Sequence, residues 1–388
     1  MDYDFSPEDQ ALRQRLRDLI DEHMPADFPG IFVDDLAMYE ATARFCRVLA
    51  QEGLLTLSWP RRYGGAESTP WSQLVFREEM WSHNEPTGPQ YMGVNWIGPA
   101  LMQFGTEEQK AFFLPRIAAG EIVWCQGFSE PDAGSDLASL QLRAEPDGDD
   151  FVLNGQKIWT SYATFADYCI LATRTESAGP KQHGITVFLV PMDRPGIEVR
   201  PIASLTGPHH FHEVFFTDVR VRRDEMLGRL HEGWAVMSAG LSYERTGNPR
   251  YARSARILAQ LWEELGDRWG EVPGGLRARY VKALVHTRTA QLLNYRVVNA
   301  YSADELPRLE ASLARVAATT LDQEVADVAM DMEAPWALFG HDDELRVGSG
   351  DTEHHWRYAQ ASTVAAGTLE VQKMLIARAT LQSEKEGA

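Results

Sequence analysis

The stretches WCQGFSEPDAGSD (Trp124–Asp136) and GQKIWTS (Gly155–Ser161) decide the fold of the middle of the chain. In the first, Pro, Gly and Ser residues follow a short apolar run and predict a loop. In the second, alternate side chains of a strand point the same way, so Trp159 and Ser161 are predicted to share one face. The pair of stretches therefore predicts an indole and a hydroxyl on a strand, together with a Ser-containing loop.

The residues around these stretches predict a β-meander. Asp147-Gly148 and Asn154-Gly155 are turn signals, and short runs with strand character lie beside them, at 140–143, 150–153 and 156–160. A loop with Ser129, Ser135 and free N–H groups suits the pyrimidine edge and the pyrophosphate of a flavin nucleotide. For either stretch alone, a Ser-rich loop beside an ordinary sheet Trp is the simpler interpretation.

Three segments in order, FSEPDAGSD, NGQKIWTS and HEVFFTDVRV (His212–Val221), resemble the middle domain of the acyl-CoA dehydrogenase family. Residues 97–121 resemble its helical N-terminal domain, and residues 367–378 resemble its last helix. The resemblance implies an α+β fold with an N-terminal α-helical domain, a middle β-barrel or sandwich domain and a C-terminal four-helix bundle. The hydrophobic patterns place these domains at residues 1–120, 121–228 and 229–388.

Composition limits the functional classes. The 388-residue chain is 44% hydrophobic and carries a net charge of −19, which argues against nucleic-acid binding and attraction to an anionic membrane. No apolar run reaches the ~20 residues that span a bilayer, and the N-terminus lacks the basic start of a signal peptide, so we expect a cytoplasmic enzyme.

The Cys and His residues indicate neither disulfides nor metal. The three cysteines have no CxxC spacing, and we predict that they are core thiols. His209, His210 and His212 lie close in sequence, as do His354 and His355, but neither spacing fits a zinc site, so we predict no metal.

The resemblance implies FAD and assigns residues to it. Phe128 and Ser129 would face the flavin pyrimidine, Ser135 the pyrophosphate, and Trp159 one face of the ring, with Thr160 and Ser161 near N5. Thr368 would also contact FAD, although Glu370 replaces a frequent Gln and weakens that assignment.

The catalytic base departs from the common family pattern. Many members carry a Glu immediately before a Gly-Thr near the C-terminus, and here that position is Ala366. A subset, which includes isovaleryl-CoA and long-chain dehydrogenases, places the Glu before an Arg on the first long helix of the C-terminal domain, and Glu244 followed by Arg245 matches it. A surface carboxylate beside an Arg is the alternative interpretation of Glu244. The Ala366 N–H would still polarise the substrate carbonyl, as resemblance implies.

The resemblance also implies substrates and partners. The substrate is an acyl-CoA or acyl-carrier-protein thioester, oxidised to the trans-2-enoyl thioester, and the acceptor is an electron-transfer flavoprotein. Arg245, Arg61-Arg62 and Arg222-Arg223 are candidates for the CoA phosphates, with ordinary surface arginines as the alternative for the two pairs.

Two segments that complete a neighbouring subunit's FAD site in the family are altered. An Arg-x-x-Phe-Gly segment is expected where residues 265–270 read LGDRWG, and a Gly-Gly segment where residues 330–336 read MDMEAPW. We therefore expect either an α2β2 hetero-oligomer or a homo-oligomer that binds adenine differently. The alternative functions are a non-catalytic half-site subunit and, more remotely, an oxygen-using oxidase.

Overall fold

The computed structural model describes residues 4–26, 28–30, 36–245, 249–340, 343–345, 350–365 and 367–386, with side chains except at 36, 208, 209, 240–245, 308 and 382–386. The α-helices are α1 (Pro7–His23), α2 (Leu36–Gln51), α3 (Pro70–Ser82), α4 (Gln90–Met92), α5 (Gly98–Phe104), α6 (Glu107–Ala118), α7 (Gly233–Arg245), α8 (Tyr251–Leu265), α9 (Gly274–Ser302), α10 (Arg308–Met332), α11 (Asp351–Ser362) and α12 (Leu369–Glu386). The strands are β1 (Trp124–Gly127), β2 (Arg143–Asp147), β3 (Asp150–Ser161), β4 (Tyr168–Arg174), β5 (Ile185–Pro191), β6 (Ile197–Ser204), β7 (Gly207–Val221) and β8 (Met226–Leu227). The order of helices, strands and helices confirms the predicted fold class.

The chain forms two compact units that do not follow chain order. One unit comprises residues 1–33, 68–86 and 245–388, and the other comprises residues 34–67 and 87–244. The first therefore holds α1, α3 and α8 to α12, and the second holds α2, α4 to α6, nearly all of α7 and every strand. The division into three domains expected from the sequence stays a prediction. The two compact units divide the N-terminal helices between them, so they do not correspond to those domains.

The helical unit is built around one apolar core. Its α1 begins at a capped turn, with the Ser6 hydroxyl accepting the Asp9 N–H at 3.0 Å and Pro7 at the first helical position. Helices α3, α8, α9 and α10 share buried side chains that include Leu74, Leu258 and Val325. Because each helix presents one apolar face, burial against its neighbours removes that face from water.

The other unit contains a sheet with strand order β6-β7-β3-β2-β4-β5-β8, and β1 pairs with β4 in parallel. Strand β3 is central, because it pairs antiparallel with both β2 and β7. Buried Leu153, Leu171 and Phe188 form part of the core beneath the sheet. The three cysteines are free and buried, as predicted.

Two details of the predicted meander are wrong. Asn154-Gly155 is not a turn but lies inside β3, where the register against β7 shifts and Asn154 exchanges hydrogen bonds with Asp218 at 3.0 and 3.1 Å. Gly155 has φ 144°, and a Cβ there would lie 3.0 Å from Leu142 Cα, so this glycine allows a close backbone approach. The predicted strand at 140–143 begins only at Arg143, because a carboxylate captures the preceding N–H groups.

None of the described helices combines the length and apolar character needed to cross a bilayer. Within the same part of the chain, no group of three or more His, Cys, Asp and Glu residues is arranged to hold a metal ion.

Candidate active site

The site is organised by a bulge in β3. The register against β7 shifts between Lys157 and Thr160, and Trp159 has φ 60°. A left-handed conformation costs a non-glycine residue about 1–3 kcal/mol and is typical of functional positions. Within the bulge, the Ile158 N–H donates to the Ser129 carbonyl at 3.0 Å. The bulge thus interrupts the pairing of β3 with β7, which resumes at Thr160, and lets β3 bond to the loop that follows β1.

Glu130 and Lys157 fix that loop from inside the protein. The Glu130 carboxylate accepts the N–H groups of Gln141 and Leu142 at 2.6 and 2.8 Å. The Lys157 side chain is fully buried, and its Nζ donates to Glu130 Oε1 at 2.7 Å and to the Phe128 carbonyl at 3.1 Å. Burial lowers the pKa of Lys157, and the Glu130 charge opposes that effect. The loop is therefore fixed by charged groups that water does not reach.

The structure brings together most of the residues predicted to contact a flavin. Phe128 is buried and Ser129 is partly exposed, while Ser135 is exposed further along the same loop. On β3, the Trp159 side chain is 55% exposed, and Ser161 is partly exposed. Thr160 between them is buried.

The Thr160 hydroxyl tests whether this arrangement fits a cofactor. Thr160 is only 1% exposed, and its Oγ1 has no hydrogen-bond partner among the described residues. Buried hydroxyls are almost always hydrogen-bonded, so an unpaired one points to a missing ligand atom. An open indole face, a buried hydroxyl and a rigid loop with polar groups match what an isoalloxazine requires.

His212 on β7 supports Thr160 on β3. Its sequence context predicted only that it binds no metal and did not assign it to the flavin site. Its Nδ1 lies 3.1 Å from the Thr160 carbonyl, and its Nε2 lies 2.6 Å from the Thr164 hydroxyl. A carbonyl can only accept, so Nδ1 carries a proton and donates to it. The sequence signal was a His at an inward position of a predicted strand.

The remaining predicted residues are not placed with this group. Glu244 and Arg245 form the last turn of α7, but their side chains lie outside the described residues, and so does Ala366. The Thr368 hydroxyl accepts the Val371 N–H at 3.2 Å and so caps the start of α12. Its contact with FAD stays a prediction.

The two arginine pairs bond within their own chain. Arg61 lies 3.3 Å from Glu67, and Arg222 lies 2.9 Å from Asp224, all with exposed side chains. This pairing is typical of ordinary surface arginines.

A narrow apolar cleft adjoins the flavin loop. Its lining residues are Trp96, Ile97, Ala100, Gln126, Phe128, Ile170 and Val236. Phe128 belongs to the predicted flavin site, and Val236 lies on α7, the helix that ends with Glu244 and Arg245.

In the helical unit, the second altered segment, at 330–336, carries two carboxylates, and Glu264 directly precedes the first, at 265–270. Trp269 packs against Tyr280 with ring centroids 5.1 Å apart. Arg268, in the turn that follows α8, donates to the Glu264 carbonyl at 3.0 Å and thus caps the end of α8. Burial raises the pKa of Glu333 to about 7, and the charges of Glu264 and Asp351 act in the same direction.

Comparison with known proteins agrees with this architecture. The family models for the acyl-CoA dehydrogenase N-terminal, middle and C-terminal domains match residues 6–121, 125–219 and 231–381. Acyl-CoA dehydrogenase IpdE1 of Mycobacterium tuberculosis is 34% identical over 348 residues, which are 87% of each chain.

Two solved structures are similar along nearly the whole chain. The Tcur3481-Tcur3483 steroid ACAD has a TM-score of 0.91 and 30% identity, covering 98% of this chain and 99% of that one. The ChsE4-ChsE5 complex from Mycobacterium tuberculosis has a TM-score of 0.87 and 29% identity, with the same coverage. The chain therefore belongs to the acyl-CoA dehydrogenase family, which makes it an FAD-dependent enzyme that dehydrogenates acyl-CoA substrates.

Proposed function

We propose that this chain oxidises a bulky acyl-CoA to the trans-2-enoyl-CoA, with Glu244 as the base that removes the α-proton. The observation that carries the flavin half of the proposal is the buried Thr160 hydroxyl without a described partner, beside the exposed Trp159 indole. FAD, when bound, supplies the acceptor for the β-hydride. Phe128, Ser129, Ser135, Trp159, Thr160 and Ser161 would hold it, with Thr368 as a further contact.

The base assignment depends on a paired substitution. Ala366 has a methyl group that cannot accept a proton, whereas Glu244 supplies a carboxylate at the alternative family position. The carbonyl-polarising role at position 366 needs only a backbone N–H, which any residue other than Pro provides. Arg245 would bind substrate beside the base, and Ser135 would contact the substrate side of the loop.

Glu244→Gln tests the base. The variant is expected to purify yellow with its full FAD content but to lose bleaching of the flavin by substrate, because an amide cannot take up the α-proton. Glu232→Gln is the matched control, since Glu232 is an exposed carboxylate just before the same helix. Bleaching by Glu244→Gln at the wild-type rate would refute the assignment.

The partner proposal is a hetero-oligomer in which a related subunit completes the FAD site. It is supported by Glu333, because a carboxylate disfavours a pyrophosphate where the family has Gly-Gly. Each of the two similar structures is named for two proteins, Tcur3481-Tcur3483 and ChsE4-ChsE5. Native mass spectrometry of the chain expressed alone is expected to show no stable homotetramer with one FAD per chain, and finding one would overturn the proposal.

Ala366 favours one alternative, a non-catalytic half-site subunit of such a complex. The two functions differ in one measurement, since only the catalytic chain loses substrate-driven bleaching when Glu244 alone is changed within the complex. We keep acyl-CoA as the substrate in preference to an acyl-carrier protein, because the named relatives are acyl-CoA dehydrogenases. An electron-transfer flavoprotein is the proposed acceptor, and peroxide formation without any acceptor would indicate an oxidase instead.

The acyl group is proposed to be bulky and cyclic, as in a steroid-derived acyl-CoA. Ala239 and Gly240 precede Glu244 on α7 with small side chains, and one similar structure is named a steroid ACAD. A panel of straight-chain, branched and steroid-derived acyl-CoAs is expected to bleach the flavin most rapidly with the last. Preference for a straight chain would contradict this proposal.

A further inference from the structure

The buried Lys157 ammonium bonds to a loop that the proposed mechanism uses only from its other side. Lys157 has no exposed side-chain surface, and Glu130 is 8% exposed. Replacing such a buried ion pair by an apolar pair of similar size is often neutral or stabilising, so stability alone does not explain the pair. Lys157 also donates to the backbone, at the Phe128 carbonyl 3.1 Å away.

That backbone bond sets the direction of a second group. A peptide is planar and trans, so the N–H of Ser129 points away from the Phe128 carbonyl in the same plane. The Phe128 carbonyl accepts from the Lys157 Nζ, so the Ser129 N–H points away from that ammonium. The Ser129 N–H has no hydrogen-bond partner among the described residues.

The next peptide is fixed as well. The Ser129 carbonyl accepts the Ile158 N–H at 3.0 Å. Two successive carbonyls thus bond to β3 residues, one to the Lys157 side chain and one to the Ile158 backbone, and together these bonds fix the peptides on both sides of Ser129. Gly127, just before this loop, packs closely against β4, since a Cβ there would lie 2.7 Å from Leu171 Cδ1 and 2.9 Å from Cys169 Sγ.

We infer that Lys157, held by Glu130, is a positioning residue that aims the Ser129 N–H at the flavin. The inference rests on the proposed function, because it takes Ser129 as a contact of the flavin edge. A hydrogen bond from an ammonium to the Phe128 carbonyl also polarises that peptide and makes its N–H a stronger donor. Lys157 thereby acts on the flavin without touching it.

The main variant is Lys157→Met/Glu130→Gln, which removes both charges together and leaves no unpaired buried ion. Its matched control is Arg194→Met/Glu225→Gln, an ion pair of the same unit with side chains 21% and 12% exposed. After removal of FAD, unfolding temperature is measured, and FAD is then titrated by quenching of its fluorescence. The midpoint potential of the rebound flavin is measured as well, because a purely structural role would leave it unchanged.

The main variant is expected to bind FAD about tenfold more weakly, since a charge-assisted aiming bond is lost, and to show a more negative potential. The control is expected to bind FAD within about twofold of the wild type. All titrations use the chain in the oligomer in which it binds FAD, with the partner subunit present if one is needed. If the wild type binds no FAD in that oligomer, the proposed function fails. If the wild type binds and the main variant matches it in both affinity and potential, only the role of Lys157 fails.

A second comparison remains available if the double variant folds poorly. Ser129→Pro removes the N–H in question, and Ser129→Ala is its reference because both lose the hydroxyl. The loss of FAD affinity between these two variants is expected to be about tenfold with Lys157 present and to shrink when Lys157→Met/Glu130→Gln is added. Losses that simply add would overturn the inference, and so would equal FAD affinity of the two Ser129 variants in the otherwise wild-type chain.

Discussion

Replacing Thr160 with Val is expected to affect the FAD-free and FAD-bound protein in opposite directions. Thr160 is 1% exposed, and its hydroxyl has no partner among the described residues. An unsatisfied buried hydroxyl costs about 1–3 kcal/mol, and Val has nearly the same shape without that group. Without FAD, Thr160→Val should therefore be more stable than the wild type by about 1–2 kcal/mol, or a few degrees in unfolding temperature.

With FAD bound, the same change removes a hydrogen bond worth about 0.5–1.5 kcal/mol. The two effects add in the binding equilibrium, so the free energy of FAD binding should weaken by about 2 kcal/mol, close to 30-fold in the dissociation constant. The measurements are thermal unfolding after removal of FAD and titration of the same sample with FAD.

Thr173→Val is the matched control in the same unit. Thr173 is also fully buried, but its hydroxyl donates to the Thr186 carbonyl at 3.0 Å. This variant should lose about 1 kcal/mol of stability and bind FAD as the wild type does. The reasoning would be refuted if Thr160→Val were less stable than the wild type without FAD, or if its FAD affinity stayed within twofold.

Three further outcomes can be measured. Glu333→Gln should stabilise the helical unit above pH 7 by about 1 kcal/mol, a value reduced because Glu333 is partly exposed. The pKa of Glu333 is about 7 in the folded chain and 4.5 in the unfolded chain, so the unfolded chain loses the proton first as the pH rises. The free energy of unfolding of the wild type therefore falls between pH 4.5 and pH 7, and below pH 4.5 the variant should be as stable as the wild type. An unchanged difference across that range in chemical denaturation would contradict the assignment. Burial lowers the pKa of His210 to about 3, so only the unfolded chain binds its proton below pH 6.5, and stability should fall with acid down to about pH 3. His210→Gln should lessen that slope by up to about 1.4 kcal/mol per pH unit in the same assay, and an identical slope would count against it. Gly155→Ala should destabilise the sheet unit by more than about 1 kcal/mol, because φ is 144° and Leu142 is in contact, whereas Gly134→Ala in open space should have a smaller effect on the unfolding temperature.

Local patterns predicted most of the elements and the motif residues. Ser6 and Pro7 are a start signal for α1, and short β-branched and aromatic runs are typical of strands such as β4, β5, β6 and β7. These predictions succeed because capping and periodicity act between residues a few positions apart. The Asn154-Gly155 turn fails for the same reason, since a dipeptide signal cannot reveal that β3 continues to pair with β7 on both sides of it.

The amino-acid sequence by itself determined the helix, sheet and helix order, the loop at 128–136, and the presence of Ala at position 366 and Glu at position 244. Only the tertiary structure decided how that loop is held. Lys157 bonds to Glu130 across 27 residues of the chain, and His212 bonds to the Thr160 carbonyl across 52. The Thr160 hydroxyl beside them has no partner among the described residues. Such long-range polar contacts depend on the β3 bulge and on strand register, which no local periodicity encodes.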